Sequence, residues 1–197
     1  MMLSDHEIRD LCIDKNGIPF EDAMISPFSE AVSGNGIISY GLTSAGYDLR
    51  LGTDIWIMKN TYGDVVSPKR IKDEAYINRI YDRMTISGVF VLPPHSYILG
   101  KTHEWLNIPR GLKGSCTGKS TLARVGIVVN TTPMEPAWKG FLTIEIANTS
   151  PCSVEIYQGE GIAQLELTML HTPCEISYAD KGGKYQNQQG VVPALVK

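Results

Sequence analysis

What most constrains this chain is its punctuation: short apolar or alternating segments, each cut off within a few residues by Gly, Pro, Asn or Asp. The segments are Ile37–Tyr40, Tyr47–Leu51, Ile55–Met58, Val89–Leu92, Tyr97–Lys101, Ile127–Asn130, Leu142–Ala147, Val154–Tyr157, Ile162–Thr168 and Glu175–Tyr178. None is long enough for a packed helix, and regular short strands of this kind favour a sandwich or barrel. Ser4-Asp5-His6-Glu7 is a capping box followed by Ile8, Leu11 and Cys12 at helical spacing, so one short helix opens the chain. Lys69–Met84 reads as a short helix or an irregular insertion. No repeat or linker divides the 197 residues, which suits one domain over 1–197, with a polar tail from about residue 179 that is either disordered or a mobile lid.

Composition removes several function classes. A net charge of −3 gives no broad basic surface for nucleic acid, so a bound polyanion belongs in a local pocket. No run approaches a membrane span and the first residues are not a secretory signal, which makes the cytoplasm the expected setting. The four cysteines, Cys12, Cys116, Cys152 and Cys174, form no C-x-x-C pair and are expected to be reduced thiols. A zinc deaminase needs H-x-E and P-C-x-x-C; no histidine here has glutamate two residues on, and Pro151-Cys152 and Pro173-Cys174 each lack the second cysteine. Any deamination would proceed without zinc.

Thr117-Gly118-Lys119-Ser120-Thr121 imitates a P-loop, but the required glycine five positions before Gly118 is Lys113, and Val125–Val129 reads as a strand where a long helix should run. The stretch still offers phosphate-handling groups. Lys119 and the backbone amides of Gly118–Thr121 suit phosphate oxygens, Ser120 can hold a water, and Arg124 lies one helical turn beyond Ser120. Glu145, between Ile144 and Ile146, shares a strand face with Thr143 and Ala147; it is either a solvent-facing carboxylate or, if half-buried, a proton shuttle with a raised pKa. Arg124 is either a surface arginine or a fixed cation for substrate.

Ala45-Gly46-Tyr47-Asp48-Leu49, Gly118–Arg124, Glu135-Pro136-Ala137-Trp138-Lys139-Gly140, Gly161–Leu165 and Lys184–Gly190 occur in an order that resembles the dUTPase superfamily and, within it, the dCTP deaminases. The third motif lacks the Gly-[Val/Ile]-[Ile/Val]-Asp core with which dUTPases hold water, and Lys184–Gly190 replaces their glycine-rich final motif, so the deaminase branch fits better. The resemblance implies a distorted jelly-roll β-barrel, a homotrimer with active sites between subunits, and hydrolytic deamination of dCTP to dUTP and ammonia. Magnesium would travel on the triphosphate, and dTTP would inhibit. It implies Glu145 as acid and base, with Ser120 and Arg124 organising water and substrate. Substrate would be bound by Lys119, Ser120, Thr121, Leu122, Ala123, Arg124, Glu135, Thr143, Ile144, Glu145, Gln164, Tyr178, Lys184 and Gln188. Glu135 is either the sugar contact or a turn-capping carboxylate, and Ala137 stands where many relatives carry glycine. Gln164 either reads the base or reaches phosphate. Trp138 suits core or interface, and Asp48 suits a structural role. Two other readings stay open: a dUTPase or bifunctional enzyme releasing dUMP and pyrophosphate, and a nucleotide-binding trimer without turnover.

Overall fold

In the computed structural model, residues 1–59, 65–71 and 73–196 are described. The chain is mainly β, as the punctuation requires. Its order is α1 (Asp5–Asp10), β1 (Ile25–Ser26), β2 (Val32–Gly34), β3 (Ile37–Thr43), β4 (Gly46–Met58), α2 (Glu74–Ile80), β5 (Tyr81–Thr85), β6 (Val89–Leu92), β7 (Tyr97–Asn107), β8 (Leu112–Gly118), α3 (Ser120–Ala123), β9 (Ile127–Asn130), β10 (Lys139–Asn148), β11 (Val154–Tyr157) and β12 (Gly161–Met169). One sheet runs β2-β3-β4-β7-β10-β9 and curls into a half-barrel, with β12 joining β4 to β8. Every pairing is antiparallel within it, and β6 and β11 form a separate ribbon. Among the described residues no helix is long and apolar enough to cross a membrane.

Two segments read as separate strands, Tyr47–Leu51 and Ile55–Met58, are one. β4 runs through Gly52-Thr53-Asp54, and its register against β7 shifts between Leu51 and Ile55. Gly52 permits the approach, since a Cβ there would sit 2.9 Å from the Lys101 carbonyl oxygen. The bent strand therefore serves both ends of the core. Its first half pairs with β3 and β12 and buries Tyr47 and Leu49 against Leu165, Leu167 and Met134. Its second half pairs with β5 and β7, while Leu51 and Ile55 pack with Ile98, Ile144, Ile146 and Ile162. α1 covers the first cluster through Ile8, and Ser4 closes its start by donating to the Glu7 carboxylate from N at 2.8 Å and Oγ at 2.9 Å.

Two expectations need correction. Glu175–Tyr178 is not a strand: Ser177 N donates to Asp180 Oδ2 at 2.9 Å and Asp180 N to Ser177 Oγ at 3.2 Å, so these side chains take backbone groups that a ladder would use. β8, whose Lys113, Gly114, Ser115 and Thr117 disguise it, is a strand because Leu112 and Gly114 face inward and the whole edge pairs with β12. The Lys69–Met84 stretch, of which residue 72 lies outside the described residues, contains α2 with Asp73 as its cap, accepting from Tyr76 N at 2.7 Å, and then β5.

Candidate active site

Glu145 stands in the middle of β10, opposite Leu99 of β7 and Asn130 of β9. Strand alternation sends Ile144 and Ile146 into the core and turns Thr143 and Glu145 to the other face, where both line a cavity of about 460 Å³. Leu99 and Tyr97 of β7 and Tyr81 of β5 line it as well. The loop Thr132–Glu135 and Trp138 supply one wall, and the tail supplies another through Tyr178, Lys184, Tyr185, Gln188 and Val192–Ala194.

The carboxyl is chemically distinctive. Its Oε2 is buried and has no hydrogen-bond partner among the described residues, and burial pushes its pKa up from 4.5 to about 7. An acid poised there both takes and gives protons near neutrality. The phenols of Tyr81 and Tyr97 are raised by burial first and by the Glu145 charge second, so they remain neutral.

The tail reaches this cavity because the second residue of β10 is a glycine. Gly140 has φ +146°, and a Cβ there would lie 2.7 Å from Gln188 N, so Gly140 and Gln188 bridge in parallel and Phe141 N donates to the Gln188 carbonyl at 2.9 Å. Gln188 is buried and accepts from Thr143 Oγ1 at 2.9 Å, while the same Oγ1 accepts from Val192 N at 3.1 Å. Trp138 is buried, not a stacking platform, and its Nε1 donates to the Tyr185 carbonyl at 2.7 Å. Preceding it, Ala137 has φ +63°, the left-handed region. That explains physically why glycine suits this position, an L side chain there costing about 1–2 kcal/mol. Lys184 Nζ donates to the Leu195 carbonyl.

Of the residues singled out from sequence, Glu135, Thr143, Glu145, Tyr178, Lys184 and Gln188 line the one cavity. Ile144 is not among its lining residues, its side chain being core. Lys119, Ser120, Thr121, Leu122, Ala123 and Arg124 contribute nothing to its walls among the described residues. Ser120–Ala123 form the single turn α3, with Arg124 N donating to the Ser120 carbonyl at 3.2 Å. A helix this short is not the one a P-loop builds. Ser120 and Arg124 are exposed, and Arg124 lines a different cleft with Ser150 and Tyr157. Lys119 turns inward to pair with Asp48 Oδ2 and donates to Ser39 Oγ at 2.9 Å. Asp48 thus acts as an anchor for the loop, and Gln164 lies beside it on β12, at the Asp48–Thr117 register. Tyr81, Tyr97 and Tyr185 were missed. Only Tyr185, next to Lys184 in a recognised motif, carried a sequence signal.

Comparison with known proteins places the chain in a family. The family model described as dCTP deaminase-like matches residues 2–170. The chain is 46% identical over 178 residues to a dCTP deaminase of Campylobacter curvus, with 90% of this chain and 92% of that protein covered. It is 42% identical over 193 residues to one of Chlamydia muridarum, with 98% and 97% covered. Among solved structures, the 2′-deoxycytidine 5′-triphosphate deaminase of Agrobacterium tumefaciens superposes with a TM-score of 0.60 at 21% identity. The match covers 86% of this chain and 48% of that longer one, and is a likeness of fold. With a family match across 2–170 and relatives aligned over nearly their whole length, the chain belongs to the dCTP deaminase-like family.

Proposed function

We propose that the chain hydrolyses dCTP to dUTP and ammonia at the Glu145 cavity. The observation that carries this is the half-buried carboxyl with an unpartnered oxygen and a pKa near 7. Ionised, Glu145 removes a proton from water as the oxygen adds to C4 of cytosine; it passes that proton to ring nitrogen N3. It then takes the proton of the new hydroxyl and delivers it to the 4-amino group, which leaves as ammonia while C4 becomes a carbonyl. One carboxyl ends the cycle as it began.

Glu135 and the tail residues Tyr178, Lys184 and Gln188 surround the nucleotide, with Lys184 exchanging the Leu195 carbonyl for phosphate oxygen. The remaining charge comes from a second copy. Ser120 and Arg124 are exposed on α3, away from Glu145, and in a homotrimer they complete a neighbour's cavity, where a fixed guanidinium stabilises charge at C4. Magnesium enters as part of the substrate. The ion would be held by phosphates and water.

The test is incubation with dCTP and magnesium, with a chelator control, following ammonia, dUTP, dUMP and pyrophosphate together. Ammonia with dUTP alone is expected. Pyrophosphate and dUMP would make the enzyme bifunctional, and tight binding without turnover would overturn the catalytic reading.

A further inference from the structure

The tail wall of the Glu145 cavity is gripped by a side chain that does not itself line the cavity. Arg110 lies in the turn between β7 and β8. Its Nε donates to the Cys174 carbonyl at 3.2 Å, its Nη2 to the Glu175 carbonyl at 2.5 Å, and its Nη1 stands 2.9 Å from Asp180 Oδ2. All three guanidinium nitrogens are thus spent on one short stretch of the tail. The Asp180 carboxylate also accepts from Ser177 N, so the arginine closes a turn that is already tied across itself.

Tyr178 sits inside that turn. Its N–H donates to the Pro136 carbonyl at 3.1 Å, and its hydroxyl accepts from Tyr185 N at 3.0 Å. Gly183 lies flat on its ring, where a Cβ would come within 2.0 Å of Cε1. A continuous mechanical chain therefore runs from Arg110 through Ser177–Asp180 to Tyr178 and on to Tyr185 beside Lys184.

From this geometry we infer that Arg110 is a positioning residue for nucleotide capture: it pre-orders the Ser177–Asp180 turn so that Tyr178, Lys184 and Tyr185 stand over the cavity before substrate arrives. The inference rests on the cavity being the dCTP site. Arg110 and Asp180 are 45% and 46% exposed, so their pair adds little to global stability. Its effect falls on binding, because a loose wall must be ordered at the expense of nucleotide affinity.

Arg110→Ala is expected to raise KM for dCTP about tenfold, with kcat within about twofold and an unchanged melting temperature. Arg110→Lys recovers only part of this, since an ammonium reaches Asp180 but cannot span two carbonyls and a carboxylate as a planar fork does. Asp180→Asn shifts KM in the same direction, and Arg110→Ala/Asp180→Asn is no worse than Arg110→Ala alone, because both act through one contact. In the absence of nucleotide, trypsin cleaves after Lys181 and Lys184 faster in Arg110→Ala than in wild type. A KM within twofold of wild type, or kcat and melting temperature falling while KM holds, overturns the role. Wild-type protein that binds no dCTP would instead overturn the reading of the cavity, and the trypsin comparison separates the two because it uses no substrate.

Discussion

Glu145 is where sequence and structure meet most closely at the scale of a residue. Alternation on β10 separates its side chain from Ile144 and Ile146, and this could be read from three letters. Its neighbours Tyr97 and Tyr81 could not, because they arrive from β7 and β5, and no local pattern marks a phenol as facing a distant carboxyl. Glu145→Gln should lower turnover by about two to four orders of magnitude. In the wild type, kcat/KM should rise with pH to a plateau above about 7, since only the ionised carboxyl accepts the first proton. Stability should move the opposite way. The folded pKa lies above the unfolded 4.5, so between 4.5 and about 7 the folded state holds a proton that the unfolded chain has released. Stability is therefore fully present below 4.5, declines as pH rises through that window, and is flat beyond it. Glu145→Gln never ionises, so its melting temperature should climb relative to wild type between about pH 5 and about pH 8. A difference that does not change with pH would mean the carboxyl is not desolvated.

Among the elements, short apolar segments bounded by turn residues were legible: β6, β9 and β11 begin and end where the punctuation placed them. The failures share a cause. β4 looked like two strands because Gly52–Asp54 resembles a turn, whereas the β7 backbone makes the glycine a point of close approach. β8 carries polar letters because its outward side chains are exposed. Glu175–Tyr178 looked like a strand because nothing local reveals that Asp180 bonds back to Ser177. The tail, polar by composition, packs through Val191 against Leu99 and through Gln188 against Thr143, so it is an inward-turned strap over the cavity. Ending the chain after Ala179 removes Lys184, Tyr185 and Gln188 from the wall and leaves Trp138 Nε1 without the Tyr185 carbonyl. Activity should fall about a hundredfold or more, because bulk water then screens the groups around C4. Gel filtration should still report the same assembly, since β4, β7, β10 and β12 keep their pairings. Unchanged kinetics would remove the strap from the mechanism.

At the scale of the whole molecule, Glu145 is separated from Ser120 and Arg124. The sequence sets these groups in neighbouring motifs, and the resemblance to the family implies sites between subunits. The structure places Arg124 on a different cleft, exposed, with no described side chain pairing its guanidinium. Beside it Val125 and Val128 are 51% and 50% exposed, apolar area that another copy could cover. If each cavity borrows α3 from a neighbour, Glu145→Gln and Arg124→Ala are inactive alone but complementary together. In a trimer mixed at random in equal amounts, a cavity needs an intact Glu145 on one subunit and an intact Arg124 on the next. Roughly a quarter of the cavities satisfy both. Purifying co-expressed variants through two different tags removes the inactive homotrimers, and each mixed trimer keeps one intact cavity in three, so up to about a third of wild-type activity is expected. The recovery must vanish when the variants are purified apart and assayed as a mixture of intact trimers that do not exchange. Doubly tagged oligomers that form but stay inactive would place Arg124 and Glu145 in the same chain's site, and would require α3 to travel to the cavity on binding.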